Sequence, residues 1–196
     1  MKAIPRRFNV RMRKLFTLTT VASGAAVGIL LVGVLAIVAG IYTRNVVHDQ
    51  LAPQKIYFPE KGEELPPELN QYAGQQVDTG AEAKAYADDY IGAHLEGIGA
   101  GKSYSEVSAE FMKDPNNKEL AAQRQTMFMG ETLRGMLLNA WGWGTLATIA
   151  TIAGVVLIIV GGVLLAIPLM AAHEARKERE EAETPAIADT GVPTPA

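Results

Sequence analysis

His48, His94 and His173 are the only imidazoles in the chain, and it has no cysteine, so transition-metal chemistry would have to be built from these three and the carboxylates. Zinc needs three or four such ligands converging on one point. The three histidines fall on separate segments, and the charge pattern below puts His173 across a membrane from the other two. Topology thus excludes a three-histidine site within one chain. Asp88 and Asp89 precede His94 on one predicted helix, but they stand six and five residues back, mostly on other faces. Tyr90 shares the i,i+4 face of His94 instead, so His94 is expected to be a surface or packing residue. Ser103, Ser105 and Ser108 crowd a helix start where capping accounts for the first, and there is no Gly-x-Ser-x-Gly elbow to present a nucleophile. Gly101-Lys102-Ser103 matches the end of a phosphate-binding loop. That pattern requires glycine where Glu96 stands, and a helix precedes it rather than a strand. The spacing predicts a helix C-cap and a turn there. Without cysteine there are no disulfides, thiolate metal sites, iron–sulfur clusters or covalent haem. No catalytic, cofactor-binding or metal-ligating residue is expected.

The elements that would position any site are set by charge. Of 196 residues, 48% are hydrophobic and 20% charged, which is ordinary for a soluble domain, but the distribution is not. Leu15 to Thr43 is a run of 29 residues without an acid, lysine or arginine, and Gly135 to Ala172 is a second of 38. A bilayer span needs about 20 apolar residues. The expected fold class is therefore an all-α integral membrane protein, a two-span transmembrane helical hairpin with a helical extracytoplasmic insertion. Its parts are a basic N-terminus (1–19), a first span (20–43), an outer segment (44–144), a second span (145–171) and a helical extension with a disordered tail (172–196).

Six basic groups and no acid lie in residues 1–14, whereas residues 44–134 carry nine basic and fifteen acidic groups. Lysine and arginine near the first span hold that end in the cytoplasm, and the second span returns the chain there. The expected location is the plasma membrane, with both termini cytoplasmic. A cleaved signal peptide fits poorly, because its apolar core would run only about 7–15 residues.

Neither span core contains Asp, Glu, Lys, Arg or His. Proton relays, ion paths and haem ligation within the bilayer need such groups. Two spans also cannot form the repeat architecture of a secondary transporter. Small residues stand out instead. Gly24 with Gly28, and Ala150 with Gly154, make small-xxx-small steps, with Gly161 one heptad further, and these are the expected helix-packing positions for the partner span or another subunit. Trp141, Trp143 and Tyr42 are expected at the membrane interface. Pro168 is expected to kink the last turn of the second span.

In the outer segment, residues 44–60 read as extended, either a linker or a strand able to join a sheet edge or lie on a neighbour. Gly62 to Pro67 reads as an acidic turn, and Glu68 to Tyr72 as one helical turn. Thr79-x-x-Glu82 and Ser103-x-x-Glu106 are capping boxes that open two helices. The first presents Ala83, Tyr86 or Ala87, Tyr90, and His94 or Leu95, and ends at Gly97, Gly99 and Gly101. The second stops at Asp114-Pro115-Asn116-Asn117. A third helix starts near Asn117, with Leu120, Arg124 and Phe128 on one face and Met127 beside it. It runs into the second span, with Gly130, Gly135, Gly142 and Gly144 as candidate breaks. Tyr57, Phe58, Tyr86, Tyr90 and Phe128 are the expected contacts with each other or with a partner. At this size a core of its own is marginal, so the segment is expected to lean on the membrane or another protein.

Residues Gln54 to Pro59, Ala85 to Ile91, His94-Leu95, Gly101 to Tyr104 and Arg124 to Gly135 carry a resemblance. In this pattern, over roughly residues 15–172, the chain resembles a family of small actinobacterial two-span membrane proteins with a helical extracytoplasmic segment. Some members carry a ring-opening dioxygenase label, which implies iron held by two histidines and a carboxylate. Only two outer histidines exist here, on separate segments, so that activity is not expected. In layout the chain is also similar to small accessory proteins of actinobacterial respiratory supercomplexes. That likeness implies a non-catalytic accessory, stabilising or assembly subunit of a larger plasma-membrane complex, with a bc–oxidase supercomplex as the specific candidate. The alternative is a membrane-anchored extracytoplasmic sensor or binding module. Expected partners are the lipid bilayer and integral membrane protein subunits, with self-association left open. The acidic outer segment disfavours nucleic acid.

Overall fold

The computed structural model describes residues 6–62 and 65–183. Expectations for residues 1–5, for the middle of the acidic turn and for the tail beyond Glu183 lie outside those residues. The fold is all-helical, with no strand among the described residues. Five α-helices follow in order: α1 (Arg6–Leu51), α2 (Gly80–Ala85), α3 (Gly92–Gly99), α4 (Tyr104–Lys113) and α5 (Lys118–Glu183). A π-helical segment, Tyr86–Ile91, joins α2 to α3, and short 3-10 turns occupy Ala52–Gln54 and Pro67–Tyr72. The chain divides into two compact units, residues 1–35 with 154–196, and residues 36–153.

Two stretches, Thr19–Gln54 and Lys118–Glu178, are long and apolar enough to cross a membrane, with mean hydropathies of 2.6 and 2.8 over their most apolar 18 residues. Only 17% and 11% of their most apolar windows are buried, whereas the core helix of a soluble protein would be mostly covered. Leu31, Val32, Ile159 and Val163 stand exposed.

In the first unit the two helices pack through small residues. A methyl group built on Gly33 would stand 2.9 Å from the Gly154 carbonyl oxygen, and one on Gly161 would stand 3.2 Å from the Ala26 carbonyl oxygen. The contact advances seven residues on one helix as it recedes seven on the other, which is antiparallel pairing at a heptad step. Gly24 and Gly28 have nothing within 4 Å of such a methyl group. These two glycines therefore take no part in the seam between the two helices, and the expectation that they meet another subunit is untouched. The seam within the hairpin runs through Ala26 and Gly33, because a small-xxx-small step does not say which face of the helix it serves. Pro168 lies inside α5, which continues through it to Glu183.

The second unit holds the hydrophobic core. Phe58, Leu69, Val77, Val107, Met127 and Leu137 are its largest fully buried side chains. α1 extends to Leu51 before Pro53, which cannot continue a helix, enters the 3-10 turn. Residues 44–51 are therefore helical rather than extended. Beyond them Phe58 N–H donates to Gln75 O at 2.9 Å and Val77 N–H to Ile56 O at 2.9 Å, around a single antiparallel bridge between Tyr57 and Gln76. The segment is thus stitched to its own unit.

Both capping boxes form. Thr79 accepts from the Glu82 amide while Glu82 accepts from Thr79 N–H at 2.9 Å, and Ser103 and Glu106 do the same. α3 ends at Ala100 and Gly101, which both adopt positive φ, +49° and +78°. α5 starts at Lys118, with Asn117 Oδ1 accepting from Glu119 and Leu120 amides at 3.1 Å each. It then passes Gly130, Gly135, Gly142 and Gly144 unbroken. None of these glycines interrupts the helix, and three serve other ends. Gly130 faces Leu95, whose Cδ2 would lie 2.5 Å from an added methyl, and a methyl added to Gly144 would lie 3.2 Å from the Gly80 Cα. Gly135 borders the groove described below.

Candidate functional site

The run Gly80–Gly99 buries Ala83, Ala87, Ile91 and Leu95, each four residues apart. Four-residue steps overshoot a 3.6-residue turn, so such a face drifts around an ordinary helix. The π segment, with its i→i+5 bonds, holds more residues per turn and takes up that drift. Gly92 N–H donates to Ala87 O in this way.

The same carbonyl receives a second donor. Arg134 Nε, on α5, donates to Ala87 O at 3.0 Å. Its remaining guanidinium nitrogens reach Glu131 at 3.1 Å and Asp88 at 3.4 Å. Lys84 pairs with Asp88 from the other side. The hydrogen bond from Lys84 is the chief cause that holds the Asp88 carboxyl below its ordinary value, with Arg134 adding to it. Arginine suits this job because its planar fork bonds several acceptors at once. Lys84 also lies 5.3 Å from the centre of the Trp141 ring. Sequence reasoning assigned no role to Arg134. The local signal was an arginine three residues after Glu131, at the edge of an uncharged run.

An aromatic ladder flanks the clamp. Phe58 stacks on Tyr72 at 5.1 Å and meets Tyr86 edge-on at 5.1 Å, Tyr86 meets Tyr90 at 4.8 Å, and Tyr90 meets His94 at 4.5 Å. Burial pushes the Tyr86 hydroxyl above its usual value, with Tyr90 adding to the shift. His94 Nδ1 is 2.8 Å from the Tyr90 carbonyl. Of the five expected contact residues, Phe58 is buried and Tyr86 and Tyr90 pack on the core, while Tyr57 and Phe128 are about half exposed. Phe128 touches only the rim, at Tyr104, 5.8 Å away. The buried residue on that part of α5 is Met127, because the face that starts at Leu120 returns after seven residues, not eight. Arg124 leaves that face to cover Phe111 and to donate to Ser108 Oγ at 3.1 Å.

Two grooves border Val47. One, of about 740 Å³, runs between residues 42–54 of α1 and its turn and residues 132–143 of α5. Tyr42 and Trp143 line one end, and Gln54 and Thr132 the other. No charged residue lines it, whereas the second groove, of about 660 Å³, includes Arg44, His48, Asp78 and Trp141. His48 Nδ1 lies 3.7 Å from Asp78. Burial is the chief cause that raises the Asp78 carboxyl above its ordinary value. Glu82 adds to that shift and His48 opposes it.

Of the other helix-packing candidates, Gly154 and Gly161 are buried and Ala150 is partly buried. Tyr42, Trp141 and Trp143 are exposed. In the second unit Gly40 carries the closest approach of the apolar helices, since a methyl on it would stand 2.6 Å from the Ala147 carbonyl oxygen. Ala26, Gly33, Gly40 and Val47 are all buried at seven-residue intervals, and so are Ala147, Gly154 and Gly161. That periodicity was readable, and it names the seam better than the four-residue steps do.

His48 and His94 have different neighbours, and His173 is exposed on α5. Among the described residues no group of three or more histidine and acidic side chains is placed to hold a metal ion. Lys102 Nζ pairs with both Glu110 oxygens at 2.8 Å, beside the C-cap of α3. No protein family, curated protein or solved structure matches the chain.

Proposed function

We propose that this chain is a non-catalytic accessory, stabilising or assembly subunit of a larger plasma-membrane protein complex. It would cross the bilayer twice, with both termini in the cytoplasm. The observation that carries this reading is the apolar hairpin itself. It uses one narrow seam of small residues to hold its own two helices and leaves the rest of both apolar surfaces uncovered. Those surfaces suit lipid and neighbouring spans, and small residues left over at Gly24 and Gly28 allow another backbone to approach. The resemblance to accessory proteins of respiratory supercomplexes makes a bc–oxidase assembly the specific candidate.

Affinity purification of the tagged full-length protein in mild detergent tests this reading. Stoichiometric recovery with other integral subunits, oxidase and cytochrome bc among them, is the expected result. Recovery only as a monomer or homodimer would overturn it. Topology is tested separately, because the chain has no cysteine of its own. A membrane-impermeant thiol reagent should label Met112→Cys on intact cells, and His173→Cys only after permeabilisation.

The second reading is a membrane-anchored extracytoplasmic binding module, and the uncharged groove favours it. The two readings are compatible, since an accessory subunit can carry a ligand.

A further inference from the structure

We infer that the groove between residues 42–54 and 132–143 holds the headgroup of a neutral, hydroxyl-rich lipid, of the glycosyl diacylglycerol class. The inference rests on the membrane placement proposed above but not on any partner subunit.

The groove follows the helices for about 18 Å, at a rise of 1.5 Å per residue. Its floor is apolar, with Val47 and Leu51 buried, and its polar groups include the amides of Gln50, Gln54 and Asn139 and the hydroxyls of Thr43 and Thr132. A carboxamide both donates and accepts, as a hydroxyl does, so such groups suit a polyol better than an ion. The Gln50 and Asn139 side chains make no hydrogen bond to another described residue. Their donors and acceptors are open to a ligand.

Charge decides between lipid classes. Phosphate recognition relies on arginine, lysine or converging backbone amides. No cationic residue lines this groove, although the neighbouring one contains Arg44 and His48. Of the two grooves, only the second offers a phosphate a fixed cation, Arg44, and Asp78 lines that groove as well. Tyr42 and Trp143 line the end nearest the expected spans, 20–43 and 145–171, where aromatic rings sit at headgroup level. Rings there and amides further out let one lipid keep its acyl chains in the bilayer while its headgroup lies along the groove.

The test uses the full chain, first checked for resistance to alkaline extraction from membranes and then placed in phosphatidylcholine nanodiscs. Diglucosyl diacylglycerol and phosphatidylglycerol are offered in competition, and retained lipid is read by native mass spectrometry. We expect at least about tenfold preference for the glycolipid, lost in the Gln50→Leu/Asn139→Leu double variant. Both positions are exposed on helix surfaces, so the fold should survive, and unchanged circular dichroism checks this. Asn139→Lys should shift preference toward phosphatidylglycerol. Equal retention of both lipids by the wild type would overturn the inference, as would glycolipid retention that survives the double variant or is lost on Arg44→Ala. Release of the wild type by alkaline extraction would overturn the membrane placement along with it. An integral protein without glycolipid preference would overturn this inference alone.

Discussion

The apolar hairpin and the helical insertion are both built from helices, yet they are held together by opposite means. In the hairpin the backbones approach closely, through Gly33 and Gly154 and through Ala26 and Gly161, with Leu30 and Ile158 laid against the glycines, and most other large aliphatic side chains face outward. In the insertion the large side chains face inward, around Phe58, Leu69 and Met127, and polar caps and an arginine clamp finish the ends. Under the membrane placement proposed above, the difference follows from solvent. Water drives apolar side chains together, so the insertion gains by hiding them. Lipid is as apolar as leucine and gives no such drive, so helices there gain only by packing closely, which small residues permit.

The largest effect should come from the insertion's core. Phe58 is 2% exposed and touches two other rings, so Phe58→Ala should cost about 3–5 kcal/mol and loosen the unit. Hydrogen exchange should then rise across residues 56–59 and 74–77, which share its backbone pairing. Protection unchanged there would mean the aromatic ladder is not what holds this segment.

The hairpin should respond to added bulk rather than to lost bulk. Gly33→Val places a methyl within 2.9 Å of the Gly154 carbonyl and should cost about 1–3 kcal/mol through forced separation of the helices. Gly28→Val meets open space and should leave the isolated chain unchanged. Thermal unfolding of both variants in detergent checks the pair. Equal destabilisation would place the seam on the wrong face. If Gly28→Val disturbs only the assembled complex, that face belongs to a partner.

This pair also marks what could be read from sequence. The two apolar stretches, both capping boxes, the C-cap before Lys102 and the start of α5 near Asn117 all depend on residues within a few positions of each other, and all were legible. Which small residues face the neighbour is a tertiary fact, and the seven-residue spacing carried it where the four-residue step misled. The π segment left no local signature, so Tyr86 or Ala87 could not be assigned to the core in advance. Met127 is buried and Phe128 stays at the rim because one residue of helical phase, not aromatic character, decides burial there. The groove could not be read at all, since its walls come from residues some ninety positions apart.

Removing the arginine clamp should have a smaller effect than emptying the core. Arg134→Met keeps the stem but loses the bond to Ala87 O and the contact with Asp88, at about 1–3 kcal/mol. Lysine should not rescue it, because one ammonium cannot span the carbonyl and both carboxylates. The unfolding midpoint of Arg134→Lys, compared with Arg134→Met, checks this. Full rescue would reduce the clamp to a simple ion pair.

Acid should produce the smallest effect, and it separates two aspartates of the insertion. Asp88 is held below its ordinary 3.8, first by the Lys84 hydrogen bond, so its folded state favours the charged form. Its contribution is present above pH 3.8 and is lost as pH falls through the lowered folded value. Asp78 is raised above 3.8, first by burial, so its folded state favours the proton. Its contribution is present below pH 3.8 and is lost as pH rises through the raised folded value. At neutral pH, Asp88→Asn should therefore lower the unfolding midpoint, while Asp78→Asn should leave it unchanged or raise it slightly. Trp141 fluorescence in a Trp143→Phe background reads this locally, because Lys84 lies over the Trp141 ring. A matching loss in both variants at neutral pH would mean that the His48 pairing outweighs the burial of Asp78. The second groove would then be held by charge, and its contrast with the uncharged one would be structural rather than a matter of ligand choice.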